Sequence, residues 1–98
     1  MTTAIVLIEA ERDAMSTLGG VLADMEGVRE AYSVTGDWDF VAIVQVKRHE
    51  DLAEVIAKSL VSVEGVVRTQ TMVAFEAFSR HDLEAMFSIG EGPEQRST

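Results

Sequence analysis

Gly36-Asp37-Trp38-Asp39 carries the densest chemistry in this 98-residue chain. Two carboxylates, Asp37 and Asp39, can accept N–H bonds from an ammonium group, while amide N–H groups freed around Gly36 can donate to a carboxylate. Together they are complementary to a free amino acid. The same residues also read as a turn. Gly36 tolerates positive φ and Asp37 favours turn geometry, which makes the stretch from Tyr32 to Phe40 a hairpin between two strands. A second aspartate and a tryptophan exceed what a turn requires. Trp38 by itself fits either a pocket wall or an interface anchor.

Other constellations are thin. His49 and His81 are not spaced as a ligand pair, and His81, Asp82 and Glu84 fit a solvated helix face better than a metal centre. Asp37 and Asp39 lack the further oxygen ligands that would hold a divalent cation. No metal and no cofactor are expected. Glu9 and Glu11 alternate at the exit of an apolar run and read as a solvated strand end. The chain has no cysteine and no G-x-S-x-G, so hydrolytic chemistry has no nucleophile motif to stand on.

The elements that must position the hairpin are written twice. Ala4-Ile5-Val6 returns as Ala42-Ile43-Val44, and Glu26-Gly27-Val28 returns as Glu64-Gly65-Val66; 42 − 4 and 64 − 26 both equal 38. A shared offset marks one supersecondary unit used twice. Each copy runs from an apolar stretch through helical spacing to Glu-Gly-Val and a second β-like run. Met15, Leu18, Leu22 and Met25 form the first helical stripe, and Leu52, Val55, Ile56, Leu60 and Val63 the second. Glu50 and Asp51 fall in the first turn of that second helix, where the helix dipole favours negative charge. Gly19-Gly20 inside the first helix points to close approach between helix and sheet, since no strand feeds it as a phosphate-binding loop requires. The fold class is α+β: a ferredoxin-like βαββαβ plait with a four-stranded antiparallel sheet and two helices on one face.

Ala4 to Ile8 and Phe40 to Val44 are almost uninterrupted apolar runs, the mark of central strands dry on both faces. Helices cover only one face of such a sheet, so the other calls for a second subunit. The edge strands, roughly Val28 to Thr35 and Val66 to Phe78, mix in polar residues. A hydrophobic fraction of 47% excludes disorder, and Lys plus Arg at 8 against Asp plus Glu at 17 give a net charge of −9. That charge repels phosphate backbones and anionic lipid, so neither direct nucleic-acid binding nor membrane association is expected. No apolar run is long enough to span a bilayer. Met1-Thr2-Thr3 lacks the basic start of a secretory signal, which points to the cytoplasm.

Val34-Thr35-Gly36-Asp37-Trp38-Asp39-Phe40, the apolar strand after it, Glu64-Gly65-Val66 and Thr69-Gln70-Thr71 together resemble the effector-binding (RAM) domain of the Lrp/AsnC family of amino-acid-responsive regulators. The likeness runs from about Thr3 to Phe78. It implies a pocket between dimers where a small amino acid binds, with Gly36, Asp37 and Asp39 as hairpin contacts, Trp38 beside them, and Thr69 and Thr71 as candidates across the interface. It also implies a homodimer assembled further into a ring of dimers. Most family members carry a helix-turn-helix domain first, whereas here the first strand begins within about three residues of Met1. The chain is therefore similar to stand-alone members, which sense metabolites or modulate full-length regulators.

Ser79-Arg80-His81-Asp82-Leu83-Glu84-Ala85-Met86-Phe87 is similar to the C-terminal segment of actinobacterial stand-alone proteins of this kind. Ser79 and Asp82 suggest a capped short helix with an apolar stripe of Leu83, Met86 and Phe87, ended by Gly90. One domain then spans 1–90, and 91–98 form a disordered end. The expected function is non-enzymatic: a small-molecule-binding and oligomerisation module. The alternatives are a small dimeric α/β-barrel enzyme, either a cofactor-independent monooxygenase or an isomerase, and a pure assembly adaptor.

Overall fold

Burial alternates along the two central strands. In β1 (Thr2–Ala10), Ala4, Val6 and Ile8 are buried; in β3 (Phe40–Val46), Phe40, Ala42 and Val44 are. The strands pair antiparallel from Thr2 opposite Val46 to Ile8 opposite Phe40. With β2 (Val28–Ser33) and β4 (Val66–Val73) as edges, the sheet order is β2-β3-β1-β4 and every pairing is antiparallel. This is the expected βαββαβ plait. The computed structural model describes residues 1–78 and Arg80. The capped helix and the disordered end expected beyond Phe78 otherwise lie outside the described residues.

One sheet face carries both helices. Leu18 and Leu22 of α1 (Leu18–Ala23) join Leu52, Ile56 and Leu60, around and within α2 (Ala53–Leu60), in one core with Ala4, Val6, Ile8, Val28, Phe40, Ala42 and Val44. Each large apolar side chain so buried contributes about 1.5–3 kcal/mol. The helices are too short to persist alone, so this packing is what holds them.

Two details differ from the periodicity reading. The first stripe becomes a 3₁₀ turn at Arg12–Ala14 and a short α1, leaving Met15 exposed. Glycines at 19 and 20 weaken helix propensity there. A Cβ on Gly19 would stand 3.2 Å from the Phe40 ring, so close approach explains this glycine, whereas Gly20 faces open space. The second helix is wound wide, in π fashion, and the Val61 N–H reaches the Ile56 carbonyl at 3.1 Å. The edge strands also stop early, at Ser33 and Val73, although the Ala74 N–H still bonds the Thr3 carbonyl at 2.9 Å.

The repeat closes on itself through its glycines. Gly27 and Gly65 both hold positive φ, 93° and 99°. A Cβ on Gly27 would lie 2.7 Å from Val55, and one on Gly65 would lie 2.6 Å from the Ala14 Cβ. Each copy's Glu-Gly-Val is thus pressed against the helical segment of the other copy.

The opposite sheet face has no cover among the described residues. Register partners in an antiparallel pair share a face, which places Ile5, Leu7 and Glu9 of β1 with Val41 and Ile43 of β3 and with Arg68, Gln70 and Met72 of β4. Ile5, Leu7, Val41 and Ile43 are only half-buried.

Candidate functional site

The hairpin between β2 and β3 is closed by the Val34 N–H donating to the Asp39 carbonyl at 3.0 Å. Gly36 sits within it at φ 109°, a conformation that L side chains rarely adopt, and a Cβ there would meet nothing within 4 Å. Among the described residues nothing stands over the glycine at the loop tip. Asp37 is exposed there, while Trp38 and Asp39 are half-buried.

Asp39 is fastened to the end of β1. Its N–H donates to the Ile8 carbonyl at 2.9 Å, and its Oδ2 accepts the Ala10 N–H at 2.8 Å. Here the β1–β4 register slips between Glu9 and Ala10. A bulge disrupts the ladder locally, and the carboxylate supplies Ala10 with an acceptor. One of the two hairpin carboxylates is thus occupied by the fold, whereas Asp37 is exposed.

Trp38 leans over the corner where β1 and β4 meet. The Arg68 guanidinium carbon lies 4.3 Å from the indole centroid, and the Arg68 Nε donates to Glu9 Oε1 at 2.9 Å. Glu9 and Arg68 are register partners on the open face. Sequence alone makes Glu9 a solvated strand end and gives no sign of Arg68 beside it, because only the register sets the two opposite each other. On β2, the hydrogen-bonding, negatively charged Glu30 beside Tyr32 raises the pKa of that phenol.

Thr69 and Thr71 stand opposite Ile8 and Val6, on the helix-bearing face. Within one copy they are on the reverse side of the sheet from Arg68. Thr69 shares the hairpin end of the sheet through Ile8, which also pairs with Phe40. Thr71 borders a shallow, mainly apolar groove of about 360 Å³ along α2, with His49, Leu52, Ile56 and Val73. Gly36, Asp37, Trp38 and Asp39 are thus brought together, and the threonines are not brought to them inside one chain. Among the described residues no cluster of His, Cys, Asp or Glu is arranged to hold a metal, and no helix is long and apolar enough to cross a membrane.

The sheet order, the apolar sheet face left uncovered among the described residues and the glycine hairpin at the sheet edge together describe a ferredoxin-like plait. The Lrp/AsnC ligand binding domain family matches residues 3–83, and the chain belongs to it. An uncharacterized HTH-type transcriptional regulator of Pyrococcus furiosus, PF0250, is 35% identical over 77 residues, covering 76% of this chain and 51% of the relative. The chain spans about half the length of the curated relatives it matches. TTHA0845 from Thermus thermophilus shares 43% identity at a TM-score of 0.75, over 81% of this chain and 99% of that one. The transcriptional regulator NMB0573 of Neisseria meningitidis, solved as a complex with L-Met, is 15% identical at a TM-score of 0.71, over 80% of this chain and 52% of that one. That last likeness shows the fold alone.

Proposed function

We propose that this domain binds a small amino acid or a related metabolite at the Gly36 hairpin, and does so as an assembly of copies. The observation that carries the reading is the division of labour between the two aspartates. Asp39 is spent on Ala10 and fixes the loop, while Asp37 stands exposed at its tip. A fixed loop with a free carboxylate is pre-organised for an ammonium group, which lowers the entropic cost of binding. The family supports a ligand-binding role, and the exposed Asp37 carboxylate beside the Gly36 turn supports an amine-bearing ligand such as an amino acid.

The domain acts as a cytoplasmic sensor, not as an enzyme. It pairs through the open sheet face into a homodimer and further into a ring of dimers, and Thr69 and Thr71 reach the ligand from a neighbouring copy. Its output goes to transcription through other chains or segments, including full-length Lrp/AsnC-type regulators. The plait contributes no DNA contact of its own, since a net charge of −9 opposes the phosphate backbone.

A thermal-shift screen of the standard L-amino acids tests the reading. A ligand at about 100 times its Kd adds roughly 2.7 kcal/mol to stability. At least one amino acid is expected to raise Tm in a concentration-dependent way. No shift with any of them would overturn the amino-acid reading.

A further inference from the structure

Arg68 brings a cation onto the hairpin, and its geometry is over-determined. Its guanidinium stacks 4.3 Å from the Trp38 centroid, while its Nε is bound to Glu9 Oε1 at 2.9 Å. The backbone beneath is set by the β4 register, which places Arg68 opposite Glu9. The side chains of Arg68 and Glu9 are 59% and 41% exposed, and an ion pair so exposed adds little to folding. What the arrangement achieves is placement of the guanidinium.

Glu9 engages Nε, and the two Nη groups make no hydrogen bond among the described residues. They form the outer edge of a planar fork that matches a carboxylate with two parallel N–H bonds. Trp38, on which Arg68 stacks, is the chain neighbour of Asp37. An exposed carboxylate one residue before Trp38 and a guanidinium stacked on its indole therefore belong to the same hairpin corner. In a chain of net charge −9, the carboxylate end of a ligand meets an unfavourable potential unless a local cation receives it.

We propose that Arg68 is the carboxylate-binding residue of the hairpin site, with Glu9 and Trp38 as its positioning residues. The ligand then carries a carboxylate beside its amine, the amine meeting Asp37 and the carboxylate meeting the Nη edge of Arg68. This rests on the amino-acid reading of the hairpin. It replaces the freed amides around Gly36 as the principal carboxylate donor.

Trp38 is the sole tryptophan, so its fluorescence reports on this corner alone. The test titrates each standard L-amino acid into the full chain, followed by fluorescence and calorimetry. The best binder is then compared with its carboxamide, on wild type, Arg68→Gln and Arg68→Lys, beside denaturant melts of all three. Arg68→Gln is expected to weaken the acid by at least about 10-fold, the loss of a charge-assisted bidentate contact. Arg68→Lys should recover part of that, and the carboxamide should bind wild type about as poorly as the acid binds Arg68→Gln. If Arg68→Gln fails to fold, Arg68→Lys and the carboxamide comparison on wild type decide by themselves. Unchanged affinity of the acid for a folded Arg68 variant, or equal binding of acid and carboxamide by wild type, would overturn the assignment and leave the amino-acid site standing. A wild type that binds no amino acid would overturn both.

Discussion

Asp37 and Asp39 are the same residue type two positions apart, yet the fold gives them opposite duties. Removing Asp39 leaves the Ala10 N–H without its acceptor, and an unsatisfied backbone donor that is partly buried costs about 1–3 kcal/mol. Asp39→Ala should therefore lose about that much stability and, because the backbone bonds from Val34 N–H to the Asp39 carbonyl and from Asp39 N–H to the Ile8 carbonyl still hold the loop, only a small part of its ligand affinity. Asp37→Ala should do the reverse, with stability within about 0.5 kcal/mol of wild type and ligand affinity lowered roughly 10-fold or more. Denaturant melts and calorimetry on both variants check the split. The hairpin, its glycine and its paired carboxylates were legible in the sequence because turn chemistry is local. The bond from Asp39 to Ala10 was not, because it depends on a bulge in a different strand. The same limit hid the Trp38–Arg68–Glu9 corner and the face on which Thr69 and Thr71 lie.

At the scale of elements, the repeat at offset 38 announced the plait, and the apolar continuity of β1 and β3 announced their central position. Those signals are strong because each is carried by several residues at once. Helix winding was not legible, since an i to i−5 bond leaves no mark on composition and since packing alone holds such short helices. The repeated glycines hold the reciprocal contact between the copies. Gly65→Ala adds a methyl at positive φ and 2.6 Å from the Ala14 Cβ, so backbone strain of about 1–2 kcal/mol and overpacking of about 1–3 kcal/mol combine. Gly36→Ala meets only the first cost, because no atom lies within 4 Å of its Cβ position. Gly65→Ala should thus be the more destabilising by a margin that urea melts resolve.

At the scale of the whole molecule, the described residues present an apolar sheet face that α1 and α2 do not cover. Ile5, Leu7, Val41 and Ile43 lie there half-buried, with polar Gln45, Gln70, Glu9, Arg68 and Glu30 on the same face toward its margins. An apolar centre with a polar rim is the anatomy of a protein interface. Two copies of a chain of charge −9 repel at long range, so the pairing must be carried by apolar contact and should strengthen with salt as the Debye length falls to about 10 Å near 0.1 M. Leu7 is the position that isolates this contact. Its side chain points away from the core that holds Val6 and Ile8, so Leu7→Glu places a charge on the face without touching the packing beneath the helices. Val21, 48% exposed on α1, gives the matched control on the helix side. Sedimentation should show wild type and Val21→Glu as dimers or larger at micromolar concentration and Leu7→Glu as a folded monomer by circular dichroism. A wild type that sediments as a stable monomer, or a Leu7→Glu variant that assembles like wild type, would move the interface off this face and leave the apolar surface of β1 and β3 to another partner.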